Sequence, residues 1–340
     1  MRRTEGSITA AGGRMRHPAA AERRRPAAAR APARTAAWAP ALLAAWTLIL
    51  SSCAAPLVLE KSVDPLELLA PGELAYLRMD GATARLLAPA LVPAGEGRAL
   101  SPLLERTSTL ALGLGLPTDK GPSFDAAFLG SYPYRSAALA LGGNSAWKRE
   151  ALGYYDAKEG LRVALPGPGL VLATTRDLQP LLERAREPGA NPLPPRFAAA
   201  AGTGLALWVP DPFDRLAEAL FGMSMQAPVR GLFLSAREAT PGAAPGAAPG
   251  AAGSAAGGGA VYEVSVVFLM KDAESAGSYR PLLRLAWYGL SRYLLGEGAG
   301  PMLAAKFSLE GETYASAPFE LDSGTLAAAV SRLGGFGAGK

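Results

Sequence analysis

Five acidic side chains stand where the chain turns or alternates: Asp156, Glu159, Glu310, Glu312 and Glu320. Two of them facing one cleft could hydrolyse a glycosidic bond without any imidazole, one carboxyl giving a proton while the other attacks or activates water. Ser145-Ala146-Trp147-Lys148 fits S-x-x-K, in which a lysine activates a serine nucleophile, but the K-T-G and S-D-N elements that complete that machinery are missing from the sequence. Gly334 to Lys340 reads GGFGAGK and fits G-x-x-x-x-G-K. A phosphate loop also needs a following Ser or Thr and a helix behind it, so this stretch reads as a tail. Gly113-x-Gly115 lacks the third glycine of a dinucleotide fingerprint and precedes a strand. For the five acids, turns and solvated strand faces are the ordinary explanation.

The residue inventory narrows the chemistry further. His17 is the only histidine and Cys53 the only cysteine among 340 residues, so residues 53–340 hold no imidazole. Ser-His-Asp and Cys-His nucleophilic catalysis, histidine-ligated zinc and internal disulfides are thereby excluded from that stretch. We expect a non-catalytic protein without cofactor or metal. The net charge of +5 invites a nucleic-acid reading, but nine Arg against two Glu give +7 before Cys53, leaving −2 for residues 53–340. No basic stripe with interleaved aromatics remains to track phosphates, and no nucleic-acid partner is expected.

Cys53 itself follows a basic, then apolar, then small-residue order. The arginines come first, Thr35 to Leu59 carries no charge, and the apolar run Trp38 to Leu50 is thirteen residues long. That run is about 20 Å as helix, whereas crossing a hydrocarbon core takes about 20 residues. The order is that of a secretory leader, with Met15 as an alternative start. Leu50-Ser51-Ser52-Cys53 resembles the lipobox of bacterial lipoproteins, with Ser52 in place of the commoner Gly or Ala. The resemblance covers the leader only, and the remainder is assigned to no known family. It implies that the leader 1–52 is cut before Cys53, that the Cys53 thiol carries diacylglycerol, and that the new amino terminus is acylated, palmitate being a typical chain. It also implies a place outside the cytoplasm, at the cell membrane or the outer membrane. Each buried methylene contributes about 0.8 kcal/mol, so two or more chains hold firmly where one binds marginally. Two alternatives are an uncleaved signal anchor recruiting the whole uncharged stretch and a buried core cysteine; the latter does not explain the basic-apolar-small order. Twin-arginine export is not indicated, because no apolar residues follow Arg23-Arg24-Arg25.

The elements behind these residues read as α/β, more narrowly α+β. Leu74 to Arg78 predicts a strand, with Asp80 capping a helix to about Leu91. A second helix is expected from Ser101-Pro102. Strands follow at Leu110 to Leu116, Phe124 to Ser131 and within Tyr154 to Thr174, and Thr174 opens a helix over RDLQPLLERAR. After the Pro-rich stretch Pro188 to Pro195 the pattern recurs. Leu205, Ala206 and Asp211 stand 131 residues after Leu74, Ala75 and Asp80, and Gly277-Ser278-Tyr279 stands 147 after Gly130-Ser131-Tyr132. Leu326, Val330 and Arg332 stand 148 after Leu178, Leu182 and Arg184. The single jump of 16 residues is comparable to the PGAAPGAAPGAAGSAAGGG tract, which would replace the short loop Pro117 to Ser123 of the first half. We therefore expect an internal repeat: duplicated ferredoxin-like β-α-β-β-α-β-type units after an N-terminal signal peptide. The boundaries are a tether over 53–71, a first repeat over 72–189, a linker over 190–202 and a second repeat over 203–336. The Gly/Ala/Pro loop 239–260 lacks bulky apolar side chains and is expected to be disordered.

In the second repeat VYEVSVVFLM alternates at Glu263 and Ser265, so one sheet face should see solvent. The helix SYRPLLRLAWYGLSRYLL carries the stripe Leu283, Trp287, Leu290 and Leu294, with Tyr279, Leu282, Ala286 and Tyr293 alongside and Arg280, Arg284, Ser291 and Arg292 as its polar side. A core helix packed on a sheet explains the stripe; arginines beside a broad aromatic face also describe a helix lying in a bilayer interface. Leu283, Trp287, Tyr288 and Leu290 are then the candidate membrane or lipid contacts. The expected protein is a membrane-anchored envelope lipoprotein acting as a binding or structural module. Its partners are the membrane through the lipidated N-terminus and a hydrophobic ligand or envelope protein. An acyl-chain carrier or membrane-inserting lipoprotein is the alternative, and a carboxylate-dependent envelope hydrolase a further one.

Overall fold

Strand β1 (Ala75–Asp80) sends Leu77 and Met79 into one core and Tyr76 into another on the opposite side of a sheet, as the period of two requires. The computed structural model describes residues 63–91, 97–116, 123–156, 160–213, 228–239 and 260–334. Residues 1–62, including the expected leader and Cys53, most of the loop after Leu116, Glu159, residues 240–259 and the part of GGFGAGK after Gly334 lie outside the described residues. A 3-10 turn at Pro65–Leu68 comes first, followed by β1, α1 (Gly81–Leu87), α2 (Gly97–Arg106), β2 (Thr107–Leu114), β3 (Phe124–Gly130) and α3 (Tyr134–Gly143). Then come β4 (Trp147–Arg149), β5 (Tyr154–Asp156), β6 (Leu161–Gly167), β7 (Leu170–Thr174), α4 (Gln179–Arg186) and the short α5 (Ala198–Ala201). The rest is β8 (Leu205–Pro210), β9 (Val229–Glu238), β10 (Val261–Met270), α6 (Ala273–Leu295), α7 (Gly300–Ala304), β11 (Phe307–Glu310), β12 (Thr313–Ser316), β13 (Phe319–Asp322) and α8 (Ser323–Gly334).

The described strands form one sheet in the order β11-β12-β10-β9-β8-β1-β2-β3-β7-β6-β5-β4, with β13 also on β10. Every pairing is antiparallel. The fold is thus mixed α/β, a large antiparallel sheet with helices on both faces. On one face α1, α2, α6 and α8 cover Leu77, Met79, Leu110, Leu205, Val264 and Phe268, and α3 extends that layer over Ala126, Val163 and Val171. On the other, the Pro65–Leu68 turn, α4 and α5 cover Tyr76, Ala127, Leu172, Trp208 and Phe233. Each large apolar side chain so buried contributes about 1.5–3 kcal/mol. The second face is left partly open over β9 and β10, where Glu263 and Ser265 are half-buried and Arg237 is exposed.

Aspartates set three of the strand-to-helix junctions. Asp80, Asp272 and Asp322 accept the backbone N–H of Thr83, Ser275 and Thr325 at 2.8, 2.7 and 2.9 Å, capping α1, α6 and α8. Asp80 also accepts the N–H of Gly204 at 2.6 Å, which ties α1 to the start of β8. Gly204 has φ +73° there, a conformation that favours glycine.

Two sequence expectations shift. The helix after β7 opens at Gln179 rather than Thr174, because Thr174 remains in the ladder opposite Asp125 and Arg162 and its hydroxyl donates to Asp125. Helix α2 starts at Gly97, with Pro102 inside it rather than at its head.

Candidate functional site

The five acids named from sequence are not brought together. Asp156 is buried in β5 near one end of the sheet, whereas Glu310 is exposed on β11 at the other end. Ten strand spacings of about 4.8 Å separate those strands, far more than a hydrolytic pair allows. Glu312 is half-exposed and ion-paired with Arg196 at 2.5 Å. Glu320 is exposed on β13 opposite Glu263, and Glu159 lies outside the described residues. Ser145 and Lys148 are both exposed around the edge strand β4.

A buried charge cluster does form, from residues that no local pattern singles out. Glu73, just before β1, and Asp125, in β3, are 1% and 3% exposed. Both meet Arg176 in the β7–α4 connection: Arg176 Nη2 is 2.5 Å from Glu73 Oε1 and 2.7 Å from Asp125 Oδ2. Thr174 Oγ1 donates to Asp125 Oδ1 at 2.6 Å. Burial alone would push the guanidinium pKa down, but the two carboxylates outweigh it and hold Arg176 above the ordinary arginine value. A glycosidase pair needs the scissile bond between its carboxyls. Here the guanidinium occupies that space, so the cluster is a clamp.

What it clamps is the segment leading to β1. Asp64 caps the Pro65–Leu68 turn through Leu66 N–H and lies 3.5 Å from Arg78 Nε on β1. Glu67 O accepts Arg184 Nη1 of α4 at 3.3 Å and Gly189 N–H at 3.0 Å. Tyr76 O–H donates to Ala70 O and accepts Glu73 N–H. Leu66, Leu68 and Leu69 are buried in the core of this face. Residues 63–71, expected as part of a tether, are therefore a strap running back along β1, fixed by Arg78, Arg184 and Arg176 from three different elements.

Helix α6 separates its candidate residues by face. Leu283 and Trp287 are buried in the sheet core, where Trp287 Nε1 donates to Met302 O at 2.8 Å and its ring meets Phe307 and Phe319 edge-on. They are core residues in this structure, not surface contacts, because the apolar stripe is satisfied by the strands beneath it. Leu290 is half-buried against the same core, and Ser291, expected on the polar side, is buried with its hydroxyl lacking a hydrogen-bond partner among the described residues. Tyr288 alone of the four candidates faces outward. It does so with Leu282, Leu285 and Tyr293, at 58%, 67% and 47% exposure, and with Arg292 stacked over its ring at 5.7 Å. Leu285, the most exposed of these, carries no signal of its own in the sequence, since it interrupts the expected polar side. Among the described residues no helix is long and apolar enough to cross a membrane, and no cluster of His, Cys, Asp and Glu could hold a metal ion.

No family model matches the chain. No curated protein matches it either. Among solved structures, the chain is similar to crystal form I of TP0453, with a TM-score of 0.54 and 18% identity over 81% of this chain and 99% of that one. Crystal forms III and IV of TP0453 give TM-scores of 0.52 and 19% identity over 79% of this chain and 98% and 97% of theirs. At that identity the likeness carries the fold alone: a sheet-and-helix arrangement shared over nearly the whole of TP0453.

Proposed function

We propose that the chain is a non-catalytic envelope lipoprotein, held to a membrane by lipid on Cys53 and serving as a binding or structural module. The observation that carries this reading is Leu50-Ser51-Ser52-Cys53 at the end of a basic and apolar leader, with the chain's only cysteine at the modified position. The charge cluster supports it by default of chemistry, since Arg176 fills the space a substrate would need. Fractionation tests it: the natural chain should stay in the membrane fraction through high salt and alkaline carbonate, and Cys53→Ala should move to the soluble fraction. Retention of Cys53→Ala would show that the lipid is not the anchor.

The module reads as a duplicated unit. Tyr76 pairs with Trp208 and Leu77 with Leu207, while the offset of 131 equates Tyr76 with Leu207 and Leu77 with Trp208. Equivalent strands therefore meet about a local two-fold at the centre of the sheet. The Gly/Ala/Pro tract falls between β9 and β10, as the short loop after Leu116 falls between β2 and β3. The halves diverge at Asp211, whose φ is +44° where Asp80 has −70°.

A second reading, in which α6 enters a bilayer interface, is favoured by one feature: the outward Leu282, Leu285, Tyr288 and Tyr293 beside exposed Arg284 and Arg292. Dye release from anionic liposomes by the unlipidated Cys53→Ser chain, abolished by Leu285→Glu with Tyr288→Glu, would support it. No release from either chain would leave the lipid as the sole membrane contact.

A further inference from the structure

The outward side of α6 carries a stripe whose spacing is the same read in either direction. Glu274, Ser278, Pro281, Leu285, Tyr288 and Arg292 are all exposed and stand 4, 3, 4, 3 and 4 residues apart, symmetric about position 283. We infer that this stripe is the docking surface for a second copy of the chain, whose α6 lies antiparallel across it about a two-fold axis level with Leu283.

Alternating steps of four and three keep a stripe on one side of a helix, and an antiparallel two-fold pair brings together residues equally far from its axis. Position 274 then meets 292 of the other copy, 278 meets 288 and 281 meets 285, and each of these pairs occurs twice. The two ends of the stripe become Glu274–Arg292 ion pairs. Between them lie Pro281, Leu285 and Tyr288, with Leu285 67% and Tyr288 49% exposed in the single chain. Sliding the helices by one heptad would set Glu274 against Leu285 or Arg292 against Pro281, so the charges select the symmetric register.

Within one chain the two charges cannot meet, because 18 residues of helix hold them about 27 Å apart. Neither has an ion-pair partner among the described residues. Arg292 is steadied on its own helix by stacking over the Tyr288 ring. Leu283, Trp287 and Leu294 pin the opposite side of α6 to the sheet, so the stripe cannot turn inward. An acid at the outermost position also disfavours an anionic bilayer as the occupant of this face, since Glu274 would meet like charge there, whereas a second copy supplies its cation. One helix pair is a small interface, below about 1,200 Å2 in total, so the association is weak and concentration-dependent. It is independent of any lipid on Cys53.

Charge exchange across the pair is the test. The natural chain carrying Leu285→Cys, next to the two-fold axis, is treated in intact cells with a short bismaleimide, and the cross-linked dimer is measured on denaturing gels. The chain without Leu285→Cys reports any linkage through Cys53, and Leu139→Cys, at a position 77% exposed on α3, reports random collision. Leu285→Cys should give several-fold more dimer than either control. Glu274→Arg or Arg292→Glu added to it should each lower the yield about fivefold, because one substitution breaks both symmetric ion pairs, and the two together should restore it. All the substituted positions are exposed, so the core is left intact. Since positions 274 and 292 cannot touch within one chain, such a restoration can only arise between copies. A yield no higher than that of Leu139→Cys, a yield indifferent to the single reversals, or a double reversal no better than either single one would each overturn the inference. So would a Leu285→Cys chain that stays monomeric while its thiol reacts with a bilayer-confined maleimide, which would assign this face to the membrane.

Discussion

Arg176 holds two nearly buried carboxylates that lie 103 and 51 residues away in sequence. Removing its charge while keeping its bulk leaves both acids without their shared cation, so Arg176→Met should destabilise the fold by about 2–4 kcal/mol, less than for a fully buried pair because the guanidinium is partly solvated. Urea unfolding measures the loss, and amide exchange should quicken at Leu66 to Leu69 as the strap loosens. The aspartate caps add a pH dependence. Although burial opposes it, hydrogen bonds from Thr83 and Gly204 hold Asp80 below its ordinary pKa, and Ser275 and Thr325 do the same for Asp272 and Asp322. A depressed folded pKa stabilises the fold above about pH 4 and the contribution is lost as pH falls below it. Melting temperatures should therefore drop between about pH 4 and pH 2, and Asp80→Asn should cost stability at pH 7 but little at the acid end. Tyr314 gives a prediction of opposite sign. Its buried hydroxyl lacks a hydrogen-bond partner among the described residues, so Tyr314→Phe should leave stability unchanged or raise it by up to about 1 kcal/mol in the same unfolding assay.

The elements differ in how far their own residues announce them. β1 with Asp80 and α1 is readable because the strand alternation and the cap are local. Helix α6 is readable from its apolar stripe, and its starting Asp272 obeys the same capping rule. Thr174 misleads because a threonine before a helical pattern resembles a cap, yet here a tertiary contact with Asp125 keeps it in the sheet. The charge cluster is invisible to sequence reading because its members meet only after β1, β3 and β7 are aligned. The two faces of α6 can be separated by mutation: Trp287→Ala should cost about 3–5 kcal/mol, whereas Leu285→Ala, at a solvated position, should stay within about 0.5 kcal/mol. Comparable losses at both sites would mean that the outer face is also packed in solution.

At the level of the whole molecule, one antiparallel sheet carries helices on both faces, with β1 and β8 paired at its centre and a latched strap packed along β1. Composition already separated a basic stretch before Cys53 from a slightly acidic remainder, but the strap could not be foreseen, since it is latched by arginines from β1, the β7–α4 connection and α4. A lipid on Cys53 would hold the chain to a membrane close to this junction, which is why the account depends on that one thiol. The most direct test is the mass of the mature amino-terminal peptide of the natural chain isolated from membranes. The account predicts a peptide that begins at Cys53 and carries diacylglycerol and an amide-linked acyl chain, absent from Cys53→Ala. A peptide with an unmodified Cys53 sulfur, or one still joined to residues 1–52, would contradict it.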